Sequence, residues 1–257
     1  MGVVSALALV LLVLLLLVTG KDTFSIFGGL ILNFLMIFMV IILISLGTPP
    51  LLTALILGLL ILALIIFFSP VTLTTGAVAY LVSVVVILLL VVLILPVQYF
   101  GQLQGFGNES NEELGVFSLL IGISFPQIAC ATILLSALGA IAEASIAMAS
   151  ALRALLIETP SLSKHQLYQD GRQIGRKVMA TAFNTLFFGF FGGYLALFIW
   201  FVELKYSPAL LINDKLFIAE IASIIIAIVA VTLTVPLTTF LMTRWRHKFE
   251  IDNRSDS

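Results

Sequence analysis

The chain has 257 residues, of which 61% are hydrophobic and only 10% are charged, and its mean hydropathy is +1.25. A soluble domain carries about 25% charged residues, so this composition excludes a water-soluble single-domain fold. The net charge of −1 and the lack of a long basic run exclude a nucleic-acid-binding protein. Continuous runs of Leu, Ile and Val predict an all-α polytopic membrane protein that has the lipid bilayer as its partner.

The apolar runs predict about seven transmembrane helices in a single domain, because about twenty apolar residues cross a bilayer. The predicted spans are 3–18, 26–46, 51–68, 76–95, 115–138, 179–202 and 216–242. Proline or glycine follows most of the early spans, as expected at helix ends. The first run is expected to be retained, since it has neither a basic segment before it nor a small-residue cleavage pattern after it.

The run from Gly115 to Leu152 is too long for one straight span. Its 38 residues would form a helix of about 57 Å, against a hydrocarbon core of about 30 Å. Pro126, Gly122 and Gly139 are candidate break points. We therefore expect a kinked fifth helix that runs into the cytoplasm, or a span followed by a re-entrant or interfacial half-helix.

Two polar stretches separate the later spans. Residues 98–114 contain no Lys or Arg and predict a loop. In the second stretch, Ser163 and Gln166 have capping-box spacing, and apolar residues recur on one face, which predicts an amphipathic cytoplasmic helix over about 163–177. Arg172 and Arg176 lie four apart on this helix, where they form a solvated basic face or meet lipid phosphate or Glu143.

The Lys and Arg residues set the predicted orientation. If the C-terminal tail is cytoplasmic, ten of the twelve lie on its side, including the five between Arg153 and Lys177, and only Lys205 and Lys215 lie outside. Cytoplasmic segments are enriched in Lys and Arg, so we expect a cell-membrane protein with its N-terminus outside and its C-terminus in the cytoplasm. The acidic segment from Asn108 to Glu113 then lies outside.

Glu143 is the sharpest candidate for a functional residue. It is the only charge between residues 115 and 152, and a carboxylate in an apolar segment tends to face a cavity, a proton path or an ion. The small residues around it have the spacing that lets helix backbones approach closely; they are Gly139, Ala140, Ala144, Ala147 and Ala151. The alternative is that Glu143 is an interfacial acid or a hydrogen-bond partner between helices.

Four further side chains are weaker candidates for binding a substrate. Asn184 and Thr185 form a polar cluster inside the sixth predicted span, and Gln127 and Asn33 are isolated amides in apolar runs. Each of them is equally suited to a hydrogen bond between helices. Three glycines of the sixth span favour close packing or a bend; they are Gly189, Gly192 and Gly193.

Known catalytic patterns are missing from the sequence. It contains no His-Glu-x-x-His, no Gly-x-Ser-x-Gly and no Gly-rich phosphate loop ending in Lys-Ser or Lys-Thr. The single Cys130 excludes a disulfide framework, and His165 and His247 are too far apart for a zinc-type cluster. We therefore expect no enzymatic activity and no cofactor, while metal binding stays open.

The stretch from residue 136 to residue 194 resembles the YibE/F-like family of bacterial multi-pass membrane proteins. The matching segments, in order, are 137–141, 146–152, 174–176, 184–186 and 192–193. The resemblance implies the short form of the family, which is often encoded beside a longer member.

The resemblance also bears on single residues. Family members usually carry Asp at the position of Glu143, so the carboxylate is retained, whereas the acid usual after the Gly-Arg pair is replaced by Lys177. Glu143 and Asn184 are therefore the candidate functional residues whose positions match the pattern of the family. The resemblance implies a permease-like protein and names no substrate.

Two functions follow from these observations. The first is a transporter or transporter subunit for a small solute or ion, with a path beside the irregular fifth element lined by Glu143, Asn184, Thr185 and Gln127. The second is a structural or assembly partner of a longer YibE/F-like membrane protein, in a homo-oligomer or hetero-oligomer. Small-residue helix faces suit the second function.

Overall fold

The computed structural model describes residues 2–101, 103 and 124–245, and the regular elements in these ranges are all helical. The first four helices are α1 Val3–Thr19, α2 Thr23–Ser45, α3 Pro50–Phe67 and α4 Leu73–Gly101. The others are α5 Phe125–Glu158, α6 Lys164–Gly193, α7 Leu195–Glu203, α8 Pro208–Asn213 and α9 Lys215–Arg244. Within the described ranges, the predicted all-α fold class is confirmed.

Helix α5 is the centre of the bundle and packs against α3, α4, α6 and α9. Its buried positions include many alanines, which let neighbouring backbones approach closely. Ser83 of α4 and Ser145 of α5 are fully buried, and their hydroxyls form a hydrogen bond of 3.0 Å between the two helices. Small-residue packing and short polar contacts are what hold helices together where lipid is as apolar as the core.

Helices α1 and α2 lie at the edge of the bundle, and α1 has no buried residue. A 3₁₀ turn over Gly20–Asp22 joins them, and Gly20 has a φ of 56°, which favours glycine. Leu11 and Leu15 of α1 line the same cavity as Leu30 of α2. The chain therefore turns back on itself at Gly20.

Five helical runs in the described residues are long and apolar enough to cross a membrane: Val3–Ser45, Pro50–Phe67, Leu73–Gly101, Phe125–Glu158 and Lys215–Arg244. A sixth arises if α6 and α7, which meet at 53°, form one broken span. The count is therefore five or six rather than the predicted seven. The difference arises because residues 3–45 count here as one uninterrupted helical run, whereas the prediction counted the two helices on either side of Gly20 as separate spans.

The predicted break at Gly139 is wrong. Helix α5 is continuous over 34 residues, a length of about 51 Å. Pro126 lies in its first turn, where proline removes no helical hydrogen bond. Gly122 lies outside the described residues. Since the hydrocarbon core is about 30 Å thick, α5 tilts or extends beyond it.

The predicted separation between an amphipathic helix and the sixth span is also wrong. The capping box is present, with the Gln166 N–H donating to Ser163 Oγ at 3.2 Å and the Ser163 N–H donating to Gln166 Oε1 at 3.0 Å. From there α6 continues to Gly193 in one helix, because residues 176–180 contain neither glycine nor proline.

Pro96 does not end the fourth helix as predicted. It lies inside α4, which continues to Gly101, in keeping with the tolerance of membrane helices for proline. Most of the predicted loop that follows, including Asn108 to Glu113, lies outside the described residues.

Candidate functional site

Helices α5, α6 and α9 define the candidate site. Ser136 of α5 contacts Ser223 of α9, 87 positions later in the chain. The same separation recurs in two pairs that flank glycines of α6: Met148 with Val235, and Leu152 with Thr239. Because the separation is constant, α5 and α9 run parallel, and α6 runs antiparallel to both.

At one end of this trio, α6 and α9 are in close contact. A Cβ atom added to Gly171 would lie 2.6 Å from Thr239 Cγ2, and one added to Gly175 would overlap Val235 Cγ1. The two glycines are four residues apart, which is the spacing that brings membrane helices into backbone contact. We call this the closed end; it lies beside the C-terminal parts of α5 and α9.

At the other end the same helices enclose a cavity of about 240 Å³. Five of its lining residues carry side-chain oxygen atoms: Ser136, Thr185, Tyr194, Glu220 and Ser223. The rest of the lining is Leu186, Gly189, Phe190, Ile224 and Ala227. The cavity therefore combines one carboxylate and four hydroxyls with apolar walls.

The polar side chains of the cavity are linked in two pairs. The Tyr194 hydroxyl is a hydrogen-bond partner of the Glu220 carboxylate. Ser136 Oγ and Ser223 Oγ lie 2.7 Å apart and connect α5 to α9. Glu220 is only half-buried and Ser136 is exposed, so both stay accessible to a ligand.

A bend in the chain positions Tyr194. α6 ends at Gly193, and α7 departs at 53°. The bend follows the Gly192–Gly193 pair, a common cause of helix kinks, and a Cβ added to either glycine meets no atom within 4 Å. These glycines therefore serve the bend, one of the two roles expected from the sequence.

Aromatic packing holds this bend. The Phe190 ring lies 5.5 Å from those of Tyr194 and Phe198, and Phe198 lies 5.9 Å from Phe217 of α9. Edge-to-face contacts at such distances stabilise ring pairs beyond their buried area. Phe190 thus contacts the Tyr194 ring directly, and Phe198 and Phe217 connect Phe190 to α7 and α9.

The structure brings only one of the four predicted site residues to this cavity. Thr185 lines it, and its hydroxyl donates to the carbonyl oxygen of Thr181 at 3.1 Å. Asn184, the next residue back, is exposed on another face of α6. Glu143 and Gln127 are exposed on α5 and are not among the residues that line the cavity.

The small residues around Glu143 divide into two groups. Ala144 packs in a buried cluster with Ala182 of α6 and Val231 of α9, as their small size favours. Gly139, in contrast, is exposed, and a Cβ added to it meets no atom within 4 Å. The expected close helix contact at Gly139 is therefore wrong, and the close contact lies instead at Gly171 and Gly175.

Sequence reasoning missed Glu220, the carboxylate of the cavity. It is the only charged residue between 216 and 242, so the argument that singled out Glu143 applies to it equally. Tyr194, Ser136 and Ser223 could not be found in this way, because their contribution depends on the bend and on the pairing of α5 with α9.

A larger cavity of about 420 Å³ lies between α1, α2 and α3. Its walls are almost entirely apolar, with Leu11, Leu15 and Leu30 among them, and Asn33 supplies the amide. Asn33 Oδ1 is buried and has no hydrogen-bond partner among the described residues. One amide on an apolar surface is a poorer solute site than the oxygen-rich cavity at Glu220.

The described residues contain no group of three or more His, Cys, Asp or Glu side chains placed to hold a metal ion. Oxygen ligands in the cavity are one carboxylate and hydroxyls, whereas sites for divalent ions combine several carboxylates or carbonyls. The donor set is therefore suited to a proton, a monovalent cation or a polar solute.

The long apolar helices indicate a membrane protein. The family model of the YibE/F-like proteins matches residues 7–248, and the chain belongs to this family. The chain matches no curated protein and no solved structure.

Proposed function

We propose that this protein is a non-enzymatic membrane transporter, or the transporting subunit of one, and that the cavity at Glu220 binds the transported species. The observation that carries the proposal is a half-buried carboxylate facing a cavity between α5, α6 and α9 in which four hydroxyl side chains also lie. Ionisable side chains within membrane helices are costly, and they commonly mark the path of an ion or solute.

The chemistry of the cavity favours a small cation or a solute that moves together with a proton. Glu220 supplies the negative charge, and the hydroxyls of Tyr194, Thr185 and Ser223 can replace part of a hydration shell. A kinked helix at a polar cavity is also how many carriers build their binding sites. Here the kink is at Tyr194, which itself reaches Glu220.

The distribution of charge supports the orientation expected from the sequence, with the N-terminus outside and the C-terminus cytoplasmic. Leu152, Gly171 and Thr239 meet at the closed end, so the basic residues of 153–177 and Arg244 gather at that end. In the proposed orientation the closed end is cytoplasmic, and the cavity lies toward the outer side.

Labelling of single cysteines tests this orientation. Residues 164–173 are expected to react from the cytoplasmic side and residues 108–113 from the outside. Labelling of both segments from the same side would contradict the proposed topology.

Reconstitution tests the transport proposal directly. The purified full chain is placed in vesicles that contain an indicator for H⁺, Na⁺ or K⁺, and a gradient of the matching ion is applied in each case. We expect flux of at least one of these ions, loss of that flux in Glu220→Gln, and near-normal flux in the matched control Glu143→Gln. Normal flux in Glu220→Gln would contradict the role of Glu220, and no ion flux in the wild type would contradict the cation proposal.

One observation favours the second candidate, a structural or assembly partner of a longer YibE/F-like protein. Glu143 and Asn184 are exposed on apolar helices, where contact with another chain would satisfy them better than lipid does. Co-expression with a longer family member followed by purification tests this function. It predicts a stable complex that Glu143→Leu and Asn184→Leu weaken, whereas separate purification of the two chains argues against it.

A further inference from the structure

A second polar cavity, of about 290 Å³, lies at the closed end between α6 and α9. Three α6 side chains line it at intervals of four residues: Tyr168, Arg172 and Arg176. The opposite wall is formed by α9, with Thr232, Pro236 and Thr239. The transport proposal makes no use of this cavity.

The two arginines concentrate positive charge at this cavity. Residues four apart project from the same side of a helix, where like charges repel. Both side chains are exposed, and within the described ranges neither has an ion-pair partner. An anion between the two guanidinium groups would relieve the repulsion.

The glycines explain why the arginines border α9. Arg172 follows Gly171 and Arg176 follows Gly175, and both glycines lie directly against α9. Because the α6 backbone packs directly against the Thr239 and Val235 side chains there, the side chains that follow the glycines lie beside the contact between the two helices. The close contact at the glycines thus places the two arginines along the α6 side of the cavity, where they supply its positive charge.

The α9 wall contributes an acceptor. Pro236 lies inside α9 and has no N–H, so the carbonyl oxygen of Thr232 lacks its helical hydrogen bond. The hydroxyls of Thr232 and Thr239 donate to carbonyl oxygens of their own helix, at 2.8 Å and 2.9 Å. The cavity therefore offers two guanidinium groups and the Tyr168 hydroxyl on one side and, on the other, the Thr232 carbonyl oxygen, which Pro236 leaves without its helical hydrogen bond.

The position of the cavity suits a membrane–water interface. Gly171 lies level with Thr239, only five residues before Arg244 at the end of α9. Trp245 follows immediately and packs against the core, and tryptophan and arginine are typical of the headgroup level. An anion that binds here can therefore reach the cavity from the membrane surface or from water.

We propose that this cavity binds a phosphate group, held by Arg172 and Arg176 and oriented by Tyr168. Arginine pairs with phosphate through two parallel hydrogen bonds, so the two side chains together match a tetrahedral dianion or a phosphodiester. A phosphodiester that carries a hydroxyl or an ammonium group would also donate to the Thr232 carbonyl. The two sources with this chemistry are an anionic lipid headgroup and free phosphate.

Binding measurements on the purified full chain test the proposal. One arm adds phosphatidylglycerol to the protein in neutral detergent and measures retained lipid by native mass spectrometry and the thermal midpoint. The other arm replaces the lipid with inorganic phosphate at constant ionic strength. The variant is Arg172→Gln/Arg176→Gln, and the matched control is Lys164→Gln/Lys177→Gln, which removes the same charge from exposed positions of the same helix that do not line the cavity.

We expect the arginine variant to lose lipid retention and the lipid-induced rise in midpoint, while the lysine control keeps both. Loss of a phosphate-induced rise alone would support the same site with free phosphate as its source. Equal losses in the two variants, or no binding in either arm for the wild type, would overturn the proposal. If the double variant does not fold, Arg176→Lys is used in its place. It is expected to weaken binding, because lysine keeps the positive charge but cannot make the two parallel hydrogen bonds of a guanidinium group. No ion flux is measured, so this result is independent of the transport proposal.

Discussion

The two ends of the α6–α9 pair are built from the same helices and differ in the residues that meet there. At the closed end, Gly171 and Gly175 bring the backbones together against Thr239 and Val235. At the cavity end, Thr185 and Gly189 leave space in front of Glu220. A few side chains therefore decide whether the two helices touch directly, as at Gly171 and Gly175, or leave a carboxylate-lined cavity between them, as at Glu220.

This difference explains how a short chain can hold a charge in an apolar bundle. Glu220 lies within two turns of the start of α9, so it can stay in contact with water from that side. Val231 of α9 is fully buried and lies between the α9 residues that line this cavity and those that line the cavity at the closed end. A transporter with this arrangement has to separate the closed end to release its solute, as alternating access requires.

The largest expected effect is at the closed end. Gly175→Leu places a side chain where a Cβ already overlaps Val235. Overpacking of a core costs about 1–3 kcal/mol, and more where the backbone cannot shift. We therefore expect a large fall in the thermal midpoint of the purified protein and loss of the folded fraction in size-exclusion chromatography.

Gly139→Leu is the matched control for this prediction, since a Cβ at Gly139 meets no atom within 4 Å. Its thermal midpoint is expected to stay close to that of the wild type. Equal damage from the two substitutions would show that α6 does not pack closely against Val235 of α9 at Gly175.

A smaller effect is expected at the cavity end from Tyr194→Phe. It removes the hydroxyl that pairs with Glu220 and keeps the ring against Phe190. A hydrogen bond to a charged group contributes about 1.5–3 kcal/mol, so half-saturation of the ion flux should move to higher concentration by about tenfold or more. Because the same hydrogen bond is lost from the protein without its ion, the thermal midpoint should fall as well, by less than in Gly175→Leu.

Tyr80→Phe serves as the control for the hydroxyl. Tyr80 also packs against a phenylalanine, Phe67, and its hydroxyl donates to the carbonyl oxygen of Leu59, away from the cavity. Its flux should match the wild type. A shift of the same size in both variants would argue that Tyr194 acts through packing alone.

The smallest expected effect concerns two serine pairs, one in the core of the bundle and one at the cavity. Double-mutant cycles with alanine at Ser83 and Ser145, and at Ser136 and Ser223, should each give a coupling free energy of about 0.6 kcal/mol, typical between membrane helices. Only the Ser136–Ser223 cycle should also change the ion flux. An effect of the Ser83–Ser145 pair on flux would remove the distinction between core and cavity.

The sequence predicts the helices well, because apolar runs, the Ser163 capping box and the Gly192–Gly193 pair act over a few residues. It predicts the site poorly, because which face of α5 is covered depends on four neighbouring helices. Gly139 and Gly175 look alike in the sequence, yet one is exposed and the other lies against Val235. Glu220 could have been found from its isolation in an apolar run, whereas its pairing with Tyr194 depends on the 53° bend.

The most direct test of the account is whether water that enters from the Lys215 side reaches the cavity at Glu220 but not the buried cluster of Ala144, Ala182 and Val231 beyond it. Cys130 is the only cysteine and is buried, so Cys130→Ala provides a background for single reporters. Ser223→Cys and Thr185→Cys report on the cavity, Val231→Cys reports on the buried packing toward the closed end, and Phe187→Cys reports on an exposed apolar position. A charged, membrane-impermeant thiol reagent is added at the Lys215 side. The account predicts rapid labelling of the two cavity variants, Ser223→Cys and Thr185→Cys, and slow labelling of Val231→Cys and Phe187→Cys. Labelling of Ser223→Cys and Thr185→Cys as slow as that of Val231→Cys would contradict it.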